Sequence, residues 1–323
     1  MLPEMSIYRS FRERLSCQHI LAMRGGDPRP PHLQRTIIMG HRSIAFTRPV
    51  PVGLNRATIV TRDVTSDLMG DAANPFIVVS LFDMTGPTFP PHPHAGFTVA
   101  TYLLPEGGSA FLNQDSTGFS NRIAPGGLHA TVAGTGVLHE ETNETNGASA
   151  LGFQIWINMT AADRRQSPRP ETLEAADVPV LRGDGRTIRV LAGASNGLAS
   201  SLSLPTDVRI VDVALAAGAA FRQELKPGEQ AFLFMVEGAV TIDGQGAGAL
   251  HAVSLTAEGD ALDVVAGADG ARFVLFSGMP IREPLVQGGP FVGSSEEEIQ
   301  AYFAAFRAGS MGALAPFAAR KAG

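Results

Sequence analysis

The chain has 323 residues, of which 44% are apolar and 17% charged, with a formal net charge of −6. That length suits one large or two ordinary domains, and an apolar content this high excludes wholesale disorder. The acidic balance argues against a broad nucleic-acid surface, no stretch approaches the ~18 apolar residues of a membrane helix, and the lone Cys17 excludes both a disulfide framework and a CxxC zinc site.

Residues 1–39 differ from the rest of the chain. Residues 1–38 carry six arginines against three acidic residues, show no sustained period, and include "DPRPPH", which breaks any helix. The segment reads as a disordered tail, a targeting peptide, or sequence upstream of a start at Met39; the tail and the upstream reading fit best. It lacks the apolar core of a secretory signal, so the cytoplasm is the expected location.

From residue 40 the texture is short β-rich runs punctuated by turns, in keeping with 36 Gly and 22 Pro. The runs are "FIVVSLF" (76–82), "FTVATYLL" (97–104), "GFQIWIN" (152–158), "RIVDVAL" (209–215), "QAFLFMVEGAVTI" (230–242) and "RFVLFSG" (272–278). Residues 159–185 are polar, with Pro and Arg, and read as a linker. Near the end, Ser294 or Ser295 followed by Glu297 or Glu298 is a capping-box pattern. Ile299, Tyr302, Phe303 and Phe306 then share one helical face, and Gly309 ends the helix.

The β-rich region contains a repeat. Gly126-Gly127-x4-Val132-Ala133-Gly134 recurs as Gly259-Asp260-x4-Val265-Ala266-Gly267, an offset of 133. "TYLLPEG" ending at Gly107 matches "FLFMVEG" ending at Gly238, and Gly86 matches Gly218, offsets of 131 and 132. The expectation is an all-β chain with two copies of one β-domain, residues 40–158 and 186–285, followed by a tail with a helix over 286–323.

The first copy holds the chemistry. In a strand, residues i and i+2 face the same way. His92 and His94 therefore project together, and so do His139 and Glu141. Two such pairs on adjacent strands supply three imidazoles and a carboxylate to one metal inside a barrel, a donor set that suits Fe(II), Mn, Ni, Cu or Zn. Glu140 would serve in place of Glu141 only at a bulge. Carried at the repeat offset, the four positions become Glu224, Lys226, Arg272 and Val274, which cannot hold a cation. One metal site is expected, in the N-terminal half. His129 is expected to be structural, or at most a neighbour of the site, and Trp156 a packing residue. There is no GxSxG elbow and no GxxxxGK[ST] loop, so serine hydrolysis and P-loop nucleotide binding find no support.

These residues carry a resemblance. Gly86-x5-His92-x-His94 resembles the first cupin motif, and Gly126 to His139 the second with two extra residues before the histidine. More specifically, "HPHAGFTVATYLL" (92–104), "APGGLHATVAGTGVLHEE" (124–141), "GFQIWIN" (152–158) and "GMPIREPLVQGGPFVGSSEEEI" (278–299) resemble the pirins, over about residues 45–310. The resemblance implies two tandem cupin-type β-barrels, a bicupin, with one iron in the first barrel held by His92, His94, His139 and Glu141. It implies either of two functions. One is a quercetin 2,3-dioxygenase-like enzyme that takes an aromatic or enol substrate and O2, with Glu141 as its general base. The other is a non-enzymatic iron- and redox-sensing regulator that binds a partner protein. The chain departs from the pirin pattern at Ala95, where Arg is usual, at Thr98, where Glu is usual, and at "GGLHAT" (126–131), where "GDLQWM" is usual. The last change removes a Trp and introduces His129.

Overall fold

Apolar runs of strand length, cut by Gly and Pro turns, fold into an almost entirely β chain. The computed structural model describes residues 40–87 and 89–317, and the expectation for residues 1–39 lies outside them. The first half contains β1 (Ile44–Pro49), β2 (Val52–Arg56), β3 (Ile59–Thr65), the short α1 (Ser66–Met69), β4 (Phe76–Met84), β5 (His92–His94), β6 (Phe97–Leu103), β7 (Phe111–Asp115), β8 (Ser120–Ile123), β9 (Leu128–Val132), β10 (Val137–Asn143) and β11 (Ala150–Asn158). The second contains β12 (Arg169–Leu173), β13 (Val180–Gly183), β14 (Arg186–Ala192), β15 (Ala194–Ser195), β16 (Leu198–Ala199), β17 (Val208–Leu215), β18 (Ala220–Glu224), β19 (Gln230–Ile242), β20 (Gln245–Gly248), β21 (His251–Leu255), β22 (Ala261–Gly278), β23 (Val286–Gly288), β24 (Phe291–Gly293) and α2 (Glu296–Arg307).

Two sheets form the first barrel: a seven-stranded one, ordered β12-β9-β6-β11-β4-β3-β2, and a four-stranded one, ordered β5-β10-β7-β8. The second barrel is one long sheet, β1-β21-β19-β22-β17-β14-β13, with β18 on β22 and β20 on β19. The expectation of two tandem β-barrels with a final helix is met. None of the helices described is long and apolar enough to cross a membrane.

The expected boundaries need correction. β1 lies within the stretch assigned to the first copy but pairs with β21, Thr47 opposite Val253, and so closes the edge of the second barrel. Conversely, β12 lies within the expected linker but pairs with β9, Thr172 opposite His129, on the edge of the first. β13, also in that stretch, pairs with β14. Each barrel thus borrows an edge strand from outside its expected span, which satisfies backbone groups an open edge would leave unpaired.

The match of Gly126–Gly134 with Gly259–Gly267 also fails. β9 pairs with β6 and β12, whereas Val265, its expected partner in the second copy, lies in the part of β22 that pairs with β18 and the end of β19. By pairing, β21 is the counterpart of β9, and the start of β22 is the counterpart of β10. Arg272 and Val274 lie on the part of β22 that pairs with β17 and β19, so they are not the counterparts of His139 and Glu141. The offset breaks because β19 and β22 each run on as one strand where the first barrel has a connection, residues 104–110 between β6 and β7 and 144–149 between β10 and β11. A group of three or more potential ligands occurs once among the described residues, in the first barrel.

Faces decide where the core sits. On one face of the seven-stranded sheet, Phe76, Tyr102 and Phe153 meet Phe232, Phe234 and Phe276 of the second barrel in one continuous buried cluster. Phe76 packs on Phe276 with centroids 5.3 Å apart, and Phe153 on Phe234 at 5.1 Å. Burying a Phe side chain is worth about 1.5–3 kcal/mol, so this face holds the barrels together. The other face lines the first barrel's interior. Being buried on both faces, the sheet reads as near-continuous apolar runs instead of alternating ones. The second barrel's interior is filled by Leu233, Met235, Phe273, Leu275 and their apolar neighbours. In α2, Ser295 is the N-cap, accepting from the Glu298 amide at 3.3 Å; Ile299 is buried, while Phe306 at the end of the expected apolar face is exposed.

One polar cluster crosses the inter-barrel core. Asp212 accepts from Tyr102 Oη at 2.6 Å and from Arg272 Nε and Nη2 at 3.1 and 2.8 Å. Arg272 Nη1 also donates to Glu106. Burial opposes the Arg272 charge, but Asp212 and Glu106 more than offset it and hold the guanidinium protonated. Arg272→Ala strands a buried carboxylate, and urea unfolding is expected to show a loss of about 3–5 kcal/mol. The triple variant Tyr102→Phe, Asp212→Leu, Arg272→Met is expected to regain most of it, since apolar groups then fill the space.

Candidate metal centre

β5 is an edge strand, which lets it carry Pro93 without losing a ladder bond on its paired side. It pairs with β10 in a register that sets His92 opposite His139 and Pro93 opposite Leu138. Alternation then sends His92, His94, His139 and Glu141 to the barrel interior and Glu140 to the opposite face. There Glu140 accepts from Gln114 Nε2 and from the Phe317 amide, both at 2.8 Å.

The three histidines meet. One nitrogen from each lies within 4.8 Å of the others. His92 Nε2 and His139 Nε2 are 3.1 Å apart. Two bonds of about 2.0–2.1 Å to one ion, at angles between a right angle and the tetrahedral angle, put their nitrogens about 2.9–3.4 Å apart, so the spacing fits neighbouring ligands of one metal. His92 Nδ1 lies 3.0 Å from the Pro90 carbonyl and His94 Nδ1 3.3 Å from the Pro290 carbonyl. A carbonyl only accepts, so each Nδ1 carries the proton and each Nε2 keeps its lone pair free.

Burial keeps these rings in the ligand form. Desolvation lowers the His92 pKa. It takes His94 down to about 3, with His92 adding to the effect, and drives His139 well below the usual histidine range. A neutral imidazole is the form that binds a metal.

Glu141 stands apart from the three-histidine group but lines the same cavity. Its Oε2 accepts from Thr101 Oγ1 at 2.7 Å. Burial raises its carboxyl to about 7, against the pull of the Thr101 bond. The cavity, about 360 Å³, has a mostly apolar wall that includes Leu54, Ile59, Phe82, Met84, Phe89 and Trp156. Its polar groups besides the histidines are Thr61, Asp63, Ser80, Gln154 and Glu141.

Sequence reasoning missed some of this wall. Trp156 is not simply packing: its ring stands edge-on to His94 at 5.4 Å and lines the cavity. Thr101, Gln154 and Ser80 escape a motif search, although a polar residue on an otherwise apolar buried strand is itself a signal. Pro290 enters from beyond the second barrel and could not be placed by local pattern. Its segment is held by the Val292 amide, which donates to the Ala95 carbonyl at 3.0 Å, and by the buried Arg164, which bonds Gly96 O, Asn158 and Ser294. Gly96, at φ +85°, has no room for a Cβ beneath the Val292 carbonyl. His129 is structural. It lies within 3.2 Å of Asn113 Nδ2 and of Thr172 Oγ1 and 3.1 Å from Thr131 Oγ1, and it stacks on Phe119.

Fold and site together define a bicupin whose first barrel gathers three histidines able to hold a divalent metal. The sequence matches the pirin family model over residues 57–157 and the model of the pirin C-terminal cupin domain over residues 210–312. Human pirin is 34% identical over 240 residues, which span 72% of this chain and 81% of that protein. The chain belongs to the pirin family. A quercetin 2,3-dioxygenase from Acinetobacter baumannii superposes with a TM-score of 0.77 at 23% identity, covering 85% of this chain and 100% of that one. The bacterial pirin YhhW from Escherichia coli, in complex with nickel(II), gives 0.59 at 21% identity, covering 73% and 99%. At these identities the two structures show a shared fold.

Burial lowers the His129 pKa from 6.5 to about 4. Between those values the unfolded chain binds a proton that the folded chain refuses, so stability falls as pH falls through this window. At pH 5 the loss is about 2 kcal/mol relative to pH 8. In His129→Gln that share is expected to vanish, read as the difference between variant and wild type in urea unfolding at the two pH values.

Proposed function

We propose that this pirin is an iron-dependent dioxygenase acting on a flavonol such as quercetin or on a related enol, with O2 as co-substrate. His92, His94 and His139 would hold Fe(II), and Glu141 would be the fourth protein ligand and the general base. The observation that carries the reading is the meeting of the three imidazoles, two with Nε2 freed by backbone carbonyls on Nδ1, at the polar end of an apolar cavity. Its volume of about 360 Å³ lies within the usual range for small-molecule sites. The quercetin 2,3-dioxygenase fold neighbour supports the choice of substrate class.

When bound, the metal would act as a Lewis acid that lowers the pKa of an enol hydroxyl placed against it. The chain's own residues would do the rest. Glu141, its carboxyl raised by burial in the metal-free chain, would take the hydroxyl proton within hydrogen-bond reach. Trp156, Phe82 and Phe89 would present ring faces and edges to a planar aromatic and exclude water from the reacting end.

The test is oxygen consumption by Fe(II)-loaded protein with quercetin, beside a His92→Ala, His139→Ala double variant. Uptake in the wild type is expected to fall to background in the variant, with the bound metal falling from about one ion per chain to near zero by elemental analysis. Stoichiometric iron with no uptake on quercetin or related enols would overturn the enzymatic reading and favour the iron-sensing regulator.

A further inference from the structure

One register row crosses the seven-stranded sheet and carries most of its interior polar groups. Asp63 lies opposite Ser80, Ser80 opposite Gln154, Gln154 opposite Thr101, and Thr101 opposite His129. Both faces of this sheet are buried, so each polar side chain needs a partner within the protein. Ser80 Oγ donates to Asp63 Oδ1 at 2.5 Å, and His129 pairs with Thr172 at the row's far end. The middle of the row behaves differently. Thr101 Oγ1 reaches across the barrel to Glu141 Oε2 on the facing sheet at 2.7 Å, and it also lies 3.2 Å from the side-chain oxygen of Gln154.

A hydroxyl has one proton and cannot donate to both acceptors. The side-chain nitrogen of Gln154, meanwhile, is buried without a partner. Turning the amide over removes the first conflict and brings the nitrogen to Thr101, because its nitrogen and oxygen occupy equivalent positions; the oxygen then takes the unpartnered place. Gln154 then donates to Thr101, and Thr101 donates to Glu141. The order is forced when Glu141 is ionised, since a carboxylate only accepts.

We infer that Thr101 and Gln154 are positioning residues, a two-bond relay that pins Oε2 of Glu141 and leaves Oε1 free to serve the metal. The inference rests on the proposed metal site. Thr101 does not line the cavity, and Gln154, which does, acts on Glu141 in this role only through Thr101. Outer partners of this kind usually change metal affinity about 10–100-fold when removed. Thr101→Val keeps the shape and removes the hydroxyl; Thr101→Ser keeps the hydroxyl and removes a methyl group.

The experiment titrates the metal-free protein with Co(II) and records the visible d–d spectrum and the affinity, with thermal melting as a check on folding. Thr101→Val is expected to bind Co(II) about tenfold more weakly with an altered d–d band. Thr101→Ser is expected to keep the wild-type band, and Gln154→Leu to move the band in the same direction as Thr101→Val by a smaller amount. If Thr101→Val does not fold, Gln154→Leu decides by the same band. A wild-type spectrum and affinity in the folded Thr101→Val, or in Gln154→Leu where that variant decides, overturns the relay while leaving the metal site standing. Wild-type protein that binds no Co(II) overturns the metal site, and the relay with it.

Discussion

Burial of the seven-stranded sheet on both faces constrains the rest of the molecule. One face is consumed by the contact between barrels, where Phe76, Tyr102 and Phe153 meet the aromatic side chains of the second barrel. Only the other face is left to line a cavity. Nearly every residue along β4, β6 and β11 is therefore committed to packing or to the site, the exposed Asp83 excepted, and a slip of one residue would exchange the two sets. The exchanged edge strands, β1 into the second barrel and β12 into the first, resist such a slip by tying each sheet to a distant part of the chain.

The two barrels share this frame and use its inner space differently. The second fills its interior with aliphatic and aromatic side chains. The first leaves a cavity and lines one end with His92, His94, His139 and Glu141. The cost of burying these polar groups is met locally for three of the four: backbone carbonyls hold two of the imidazoles and Thr101 holds the carboxylate, while His139 Nδ1 is buried without a partner. The three neutral rings gathered so closely form a poor arrangement for an apolar core and a good one for a cation.

Much of this is legible in the residues. The i, i+2 spacing of His92 with His94 and of His139 with Glu141 puts the four side chains on one interior surface, because strand alternation is set by backbone geometry alone. The repeat points to two barrels, since the turn glycines Gly86 and Gly218 follow equivalent strands. The features hidden from the sequence depend on contacts far apart along it. The partner of β1 lies about 200 residues away, and the Pro290 carbonyl reaches His94 across 196 positions. The constant repeat offset fails because connections changed while strand pairing did not, so Arg272 falls on a different strand and bridges the barrels. Trp156 reads as packing because an aromatic residue on a buried strand serves either face equally well by pattern.

The central claim is that the three imidazoles of the first barrel hold one divalent ion. Anomalous-difference maps from crystals grown with Fe(II) or Ni(II) test it most directly. The expected result is a single strong peak about 2.0–2.3 Å from a ring nitrogen of each of His92, His94 and His139, with none inside the second barrel. A map with no peak at that position, or with the ion bound elsewhere while the imidazoles stay bonded to one another, would contradict the account.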